Sequence, residues 1–132
     1  MENDLTIDLQ NRVQEAIAEN KRLRITGGDT KKFLCGNLPG DLVTLPVSDH
    51  RGIINYDPHE LVLTARAGTP LIEIEQVLGQ AGQMLAFEPP HFGDTATLGG
   101  TVACNLSGPR RPYAGAARDM VLGVQLGATV LV

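Results

Sequence analysis

Thr97-Leu98-Gly99-Gly100-Thr101-Val102-Ala103 sets two adjacent glycines where a helix should begin. Leu98, Val102 and Leu106 recur every four residues, the spacing of one helix face, which predicts a helix over 97–106. Each glycine weakens an isolated helix by about 1 kcal/mol. Their presence therefore predicts close approach by a ligand or by another stretch of backbone. A helix starting there gathers free N–H groups and the positive end of its dipole, an arrangement that accepts anions. Ser107 and Gly108 follow one helix length on. Arg110, Arg111, Tyr113, Gly115 and the Arg118-Asp119 pair come next. Asp119 is suited to accept from a ribose or adenine group, although Arg118-Asp119 also reads as an ion pair that steadies a turn.

Seventy residues upstream lies a second glycine turn. Leu23-Arg24-Ile25-Thr26 alternates like a short strand and runs into Gly27-Gly28-Asp29-Thr30-Lys31. Consecutive small residues let several backbone N–H groups point at one place, forming a cradle for phosphate or pyrophosphate. Thr30 adds a hydroxyl and Lys31 a charge. The stretch lacks the GxxxxGK[ST] of a P-loop, and no apolar helix begins there as a Rossmann GxGxxG requires. Read alone, it also fits an ordinary β-turn. Two such clusters in one chain point to a long, phosphate-bearing cofactor.

The remaining pattern is α+β. Leu9, Val13, Ala16 and Ile17 share one face of a helix over 7–20, with Thr6 as its cap. Strands are predicted over 23–26, 42–45, 61–67, 84–87 and 120–130. Residues 48–55 read as a loop or short helical turn, 56–60 as a turn around Pro58, and 108–112 as a loop. Thr69 and Pro70 read as the N-cap and first residue of a helix over 70–80, closed by Gly79 and Gly82. The apolar stretch 128–132 reads as a strand without a polar end. It predicts that the 132 residues are the front part of a longer protein.

Composition removes several classes. The chain has 11 Lys+Arg against 15 Asp+Glu, a formal charge of −4. This argues against a general nucleic-acid binder, which would show a basic face. No apolar run nears the roughly 20 residues of a membrane span. Cys35 and Cys104 lie in no CxxC pair and at no metal-ligand spacing from a histidine, so they read as free thiols of a reducing compartment. Among 15 glycines, seven fall between Gly93 and Gly127, interleaved with aliphatic residues rather than Ser or Gln. That mixture marks tight turns in a folded domain and not a linker.

The runs Arg24 to Phe33, Tyr56 to Leu61 and Ala67 to Leu71 together resemble the FAD-binding domain of the vanillyl-alcohol oxidase / p-cresol methylhydroxylase superfamily. Phe87-Glu88-Pro89-Pro90-His91-Phe92, with Thr97 to Val102 and Leu106 to Pro112, is similar to the FAD-binding subunits of bacterial glycolate oxidases. The resemblance implies a PCMH-type FAD-binding domain occupying 1–132, built of two α+β halves with the second truncated at the C-terminus. FAD would lie between the halves. Gly27, Gly28, Asp29, Thr30 and Lys31 would hold its pyrophosphate. Pro89, Thr97, Gly99, Gly100, Ala103, Ser107 and Gly108 would line the flavin and its ribityl-phosphate chain. Gly115 and Asp119 would lie toward the adenosine.

The implied activity is that of a flavin-dependent glycolate, or similar 2-hydroxy-acid, dehydrogenase or oxidase. The implied partners are a second flavin subunit and an iron–sulfur subunit, in the cytoplasm or at the face of the inner membrane through that complex. A UDP-N-acetylenolpyruvoylglucosamine reductase, or a non-catalytic scaffold subunit, are the alternatives. No catalytic residue is assigned. His91 is nearest the flavin-lining segment and reads as a packing or surface histidine, while His50 and His59 fall in turns. Asp29 departs from the superfamily, which often has a small residue there. Its charge opposes phosphate unless it points away. Gly28→Val is expected to abolish FAD retention with modest effect on folding.

Overall fold

The computed structural model describes residues 2–127. The first helix, α1 (Thr6–Ala18), is followed by β1 (Leu23–Thr26) and β2 (Val43–Pro46), which pair in parallel with Leu23 opposite Val43 and Ile25 opposite Leu45. The crossing between them carries the glycine turn and a single 3-10 turn at Lys32–Leu34. β3 (Ile53–Asp57) and β4 (Val62–Ala65) then form an antiparallel hairpin with an irregularity between Ile53 and Asn55. The long helix α2 (Leu71–Gln80) precedes α3 (Leu98–Cys104) and two single-turn helices, α4 (Arg111–Ala114) and α5 (Ala117–Met120).

The two longest helices end alike. At α1, Asn20 takes φ 53°, while the N–H groups of Asn20 and Lys21 donate to the carbonyls of Ile17 and Ala16. At α2, Gly82 takes φ 68°, while Gly82 and Gln83 donate to Gly79 and Leu78. Both are left-handed caps that close the last turn on itself. The α1 start differs from expectation. Leu5 is the N-cap, and Thr6 lies within the helix, donating from both N–H and Oγ1 to Asp4 Oδ1. Pro70, not Thr69, caps α2. Thr69 Oγ1 instead donates to the carbonyl of Arg66 at 2.7 Å and accepts from the N–H of Gly52. That bridge ties the hairpin to the entrance of α2.

The core sits on the inner face of α2. Leu71, Ile74 and Leu78 are buried at i, i+3 and i+7, together with Phe87, Ala96, Ala116 and Ala117. Three threonines, Thr69, Thr97 and Thr101, are buried with them. The polar members mark a seam. Residues 67–71 pair with 96–99 through Leu71 N–H to Ala96 O, Leu98 N–H to Thr69 O and Gly99 N–H to Ala67 O. The seam welds the first half of the chain to α3.

Three expected elements differ. Residues 53–57 are strand, not loop, because the bulge after Ile53 interrupts the alternation that would reveal it. Residues 84–87 form no strand; the N–H of Gly108 takes the Phe87 carbonyl, and Glu88 turns the chain at φ 51°. Residues 121–127 have no regular structure, and the rest of the predicted 120–130 strand lies outside the described residues apart from Met120, which closes α5. No described helix is long and apolar enough to cross a membrane, and no group of metal-ligating side chains forms among the described residues.

Candidate functional site

The first glycine turn leaves β1 and meets the segment 93–97. A Cβ on Gly28 would lie 1.8 Å from the Thr95 carbonyl oxygen, and one on Gly27 would lie 2.4 Å from Thr97 Oγ1. Thr95 Oγ1 donates to the Gly28 carbonyl at 3.1 Å. Glycine at 27 and 28 is therefore demanded by the neighbouring chain, whatever else binds there. The N–H groups of Gly27, Gly28, Asp29, Thr30 and Lys31 find no protein acceptor among the described residues. Polar backbone groups of a half-buried loop need a partner. Consecutive donors without a protein acceptor are what an anion cradle requires.

Within that turn Asp29 takes φ 57° and its carboxylate receives Arg24 Nη2. The charge that opposes phosphate is thus paired to β1. Thr30 Cγ2 packs beside Gly93, and Phe33 meets Phe92 edge to face at 5.2 Å, so the crossing loop and the segment before α3 touch along their length.

The start of α3 does not supply a second cradle. Its leading N–H groups all have partners: Leu98 on Thr69 O, Gly99 on Ala67 O, Gly100 on Thr97 Oγ1 and Thr101 on Thr97 O. Thr97 is the N-cap of α3, and Gly99 is required because its Cβ would lie 2.8 Å from that of Ala67. The close approach predicted for these glycines comes at Gly99 from Ala67, while Gly100 meets only the Thr97 hydroxyl. The acceptors of Leu98 and Gly99 stand about thirty residues away in the chain, and only the fold brings them near.

The remaining candidates gather beyond the other end of α3, about 10 Å along its axis at 1.5 Å per residue. Pro89 is buried, and Gly108 lies under Glu88, where a Cβ would sit 2.5 Å from Glu88 Cβ. Glu88 Oε1 accepts from Arg110 Nε at 3.1 Å and from the Arg110 N–H. The side-chain bond from Arg110 holds the Glu88 carboxyl below its usual range. Ser107 Oγ accepts from the Ala117 N–H, and Asp119 Oδ2 accepts from the Ala116 N–H. Asp119 thus caps α5, and its other oxygen faces Arg118 at 3.6 Å. Gly115 takes φ 87°, and Ala103 is exposed. His91, half-buried, pairs with Glu75 of α2 at 3.0 Å, a packing role within the reading of it as a packing or surface histidine. Thr95 and Arg24 were missed. Neither carries a motif, since each acts only through a loop folded against it.

Cys35 and Cys104 are both free and exposed. Two hollows in the surface, one lined by Gly52, Glu73 and Val77 and one between α1 and β1–β2, lie away from the glycine turn.

Two crystal forms of alkyldihydroxyacetonephosphate synthase share the fold with TM-scores of 0.67 and 0.65, each at 22% identity. They align with 87% and 85% of this chain but 22% and 21% of their own. The glycolate oxidase subunit GlcE of Escherichia coli (strain K12) is 53% identical over 125 residues, 95% of this chain and 35% of GlcE. The chain thus spans about a third of that relative's length. The FAD binding domain family matches residues 6–127, nearly the whole sequence, and the chain belongs to that family.

Proposed function

We propose that this chain holds FAD as part of a glycolate oxidase subunit. The observation that carries the reading is the row of N–H donors from Gly27 to Lys31, which have no protein acceptor among the described residues and stand in a chain of this family. That row suits the cofactor's pyrophosphate. Lys31 adds a positive charge beside it, and the seam through Thr97 and Gly99 keeps the loop braced against α3. When bound, FAD supplies the two-electron acceptor that oxidation of a 2-hydroxy acid to a 2-oxo acid requires. Gly108, Pro89 and Ala103 are the proposed contacts toward the flavin, and Gly115 lies toward the adenosine. Ser107 and Asp119 shape that end by capping backbone N–H groups and not through free polar atoms.

The extent of identity to GlcE favours glycolate as substrate over a sugar-nucleotide substrate. Partnership with a second flavin subunit and an iron–sulfur subunit, in the cytoplasm or at the inner-membrane face, belongs to the same reading. The test is an absorption spectrum of the intact purified protein, followed by anaerobic addition of glycolate. One flavin per polypeptide that bleaches with glycolate and not with NADPH is the expected result. A colourless protein would refute the cofactor assignment, and bleaching by NADPH alone would refute the substrate.

A further inference from the structure

Asp29 puts a carboxylate among the very N–H groups, Gly27 to Lys31, that are offered to an anion. A like charge beside a diphosphate repels it, so the loop needs a reason to carry one. The backbone gives no such reason. The φ of 57° at Asp29 is left-handed, a conformation that Asn accepts as readily as Asp. The ion pair with Arg24 gives the second clue. Arg24 Nη2 meets Asp29 Oδ1 at 2.5 Å, and the Arg24 side chain is 19% exposed against 42% for Asp29. The guanidinium rises from β1, the strand that leads straight into the loop. Formal charge over 24–32 is +2 with Arg24 and +1 without it.

We propose that Arg24 is a positioning residue for the diphosphate of the bound dinucleotide. It acts through Asp29 and not by touching the ligand. By pairing with the carboxylate it neutralises the loop's own negative charge and keeps it held to β1. Lys31 and the row of N–H groups then set the potential that the phosphates meet. This inference rests on the FAD reading above.

The experiment is a charge-rescue cycle on the intact protein, stripped of flavin and titrated with FAD by fluorescence quenching. Arg24→Gln exposes an unpaired carboxylate and weakens FAD binding by about 10- to 100-fold. Asp29→Asn alone keeps the backbone N–H and removes the opposing charge, so it binds FAD more tightly than wild type. The double variant Arg24→Gln/Asp29→Asn returns to within about threefold of wild type. A purely structural role for Arg24, or direct contact with the cofactor, leaves the double variant as weak as Arg24→Gln, and that result overturns the proposal. So does an Arg24→Gln protein that binds FAD normally. Circular dichroism checks folding. If Arg24→Gln alone fails to fold, a double variant that folds and binds supports the proposal, and one that stays unfolded overturns it. Wild-type protein that takes up no FAD overturns the parent reading and this one together. Wild-type uptake with an unchanged Arg24→Gln overturns this one alone.

Discussion

At Gly28 the Thr95 carbonyl occupies the place a side chain would need, 1.8 Å from its Cβ position. The sequence suggested that a larger residue there would expel the cofactor and spare the fold. The structure shows that it must also push two backbones apart. Gly28→Ala is expected to cost about 3 kcal/mol or more of folding stability, together with loss of flavin; denaturant unfolding that matches wild type would contradict this. Thr97 makes a different demand. Its hydroxyl caps α3 by accepting from Gly100, so Thr97→Ala is expected to cost about 1 kcal/mol and Thr97→Ser much less, read by the same unfolding curves. At the amino end, Asp4 accepts from both donors of Thr6 and from Arg66, which hold its carboxyl far below the usual range. A depressed native pKa stabilises the fold above the unfolded value of 3.8, and that contribution is lost as pH falls from there through the lower native value. Stability measured from pH 6 to 2 should therefore fall less steeply in Asp4→Asn than in wild type. The glycine positions themselves were legible from sequence. What pressed on them was not, because Thr95, Ala67 and Glu88 are distant in the chain.

Among the elements, α2 was readable because Leu71, Ile74 and Leu78 keep a helical period and Gly82 supplies the left-handed stop. The β3–β4 hairpin was half readable. The Asp57 carboxylate, accepting from the N–H groups of His59 and Glu60, builds the expected turn, whereas the bulge hid the strand before it. The helices α4 and α5 have four residues each, about one turn, too short to impose a period on the sequence. The predicted strand at 84–87 failed for want of a neighbour, since apolar residues become a strand only when another strand supplies hydrogen bonds. Gly79 offers a test of an element alone. It lies inside α2 with open space around its Cβ position, so Gly79→Ala should stabilise the protein by about 0.5–1 kcal/mol. A lower melting temperature would show that the helix packs there against something unseen.

For the molecule as a whole, the apolar side chains outside the core are informative. Leu122, Val124 and Leu126 are 82%, 65% and 69% exposed on a stretch with no regular structure. Exposed apolar chain of this kind favours association. Sedimentation of the 132-residue chain should show self-association, and Leu122→Glu with Leu126→Glu should reduce it. A monomeric wild type would refute the expectation. The crossing from β1 to β2 has a wider consequence. Residues 27–42 are the passage that lets the two strands lie parallel, and they carry the loop proposed to hold the dinucleotide. Ligand occupancy and folding are then linked quantities: FAD at a hundred times its dissociation constant adds about 2.7 kcal/mol to the native state. Lys31 and Lys32 stand on that passage as ready points of tryptic attack. Trypsin should therefore cut at the crossing faster in the empty protein than in the FAD-loaded one, a difference limited digestion would read.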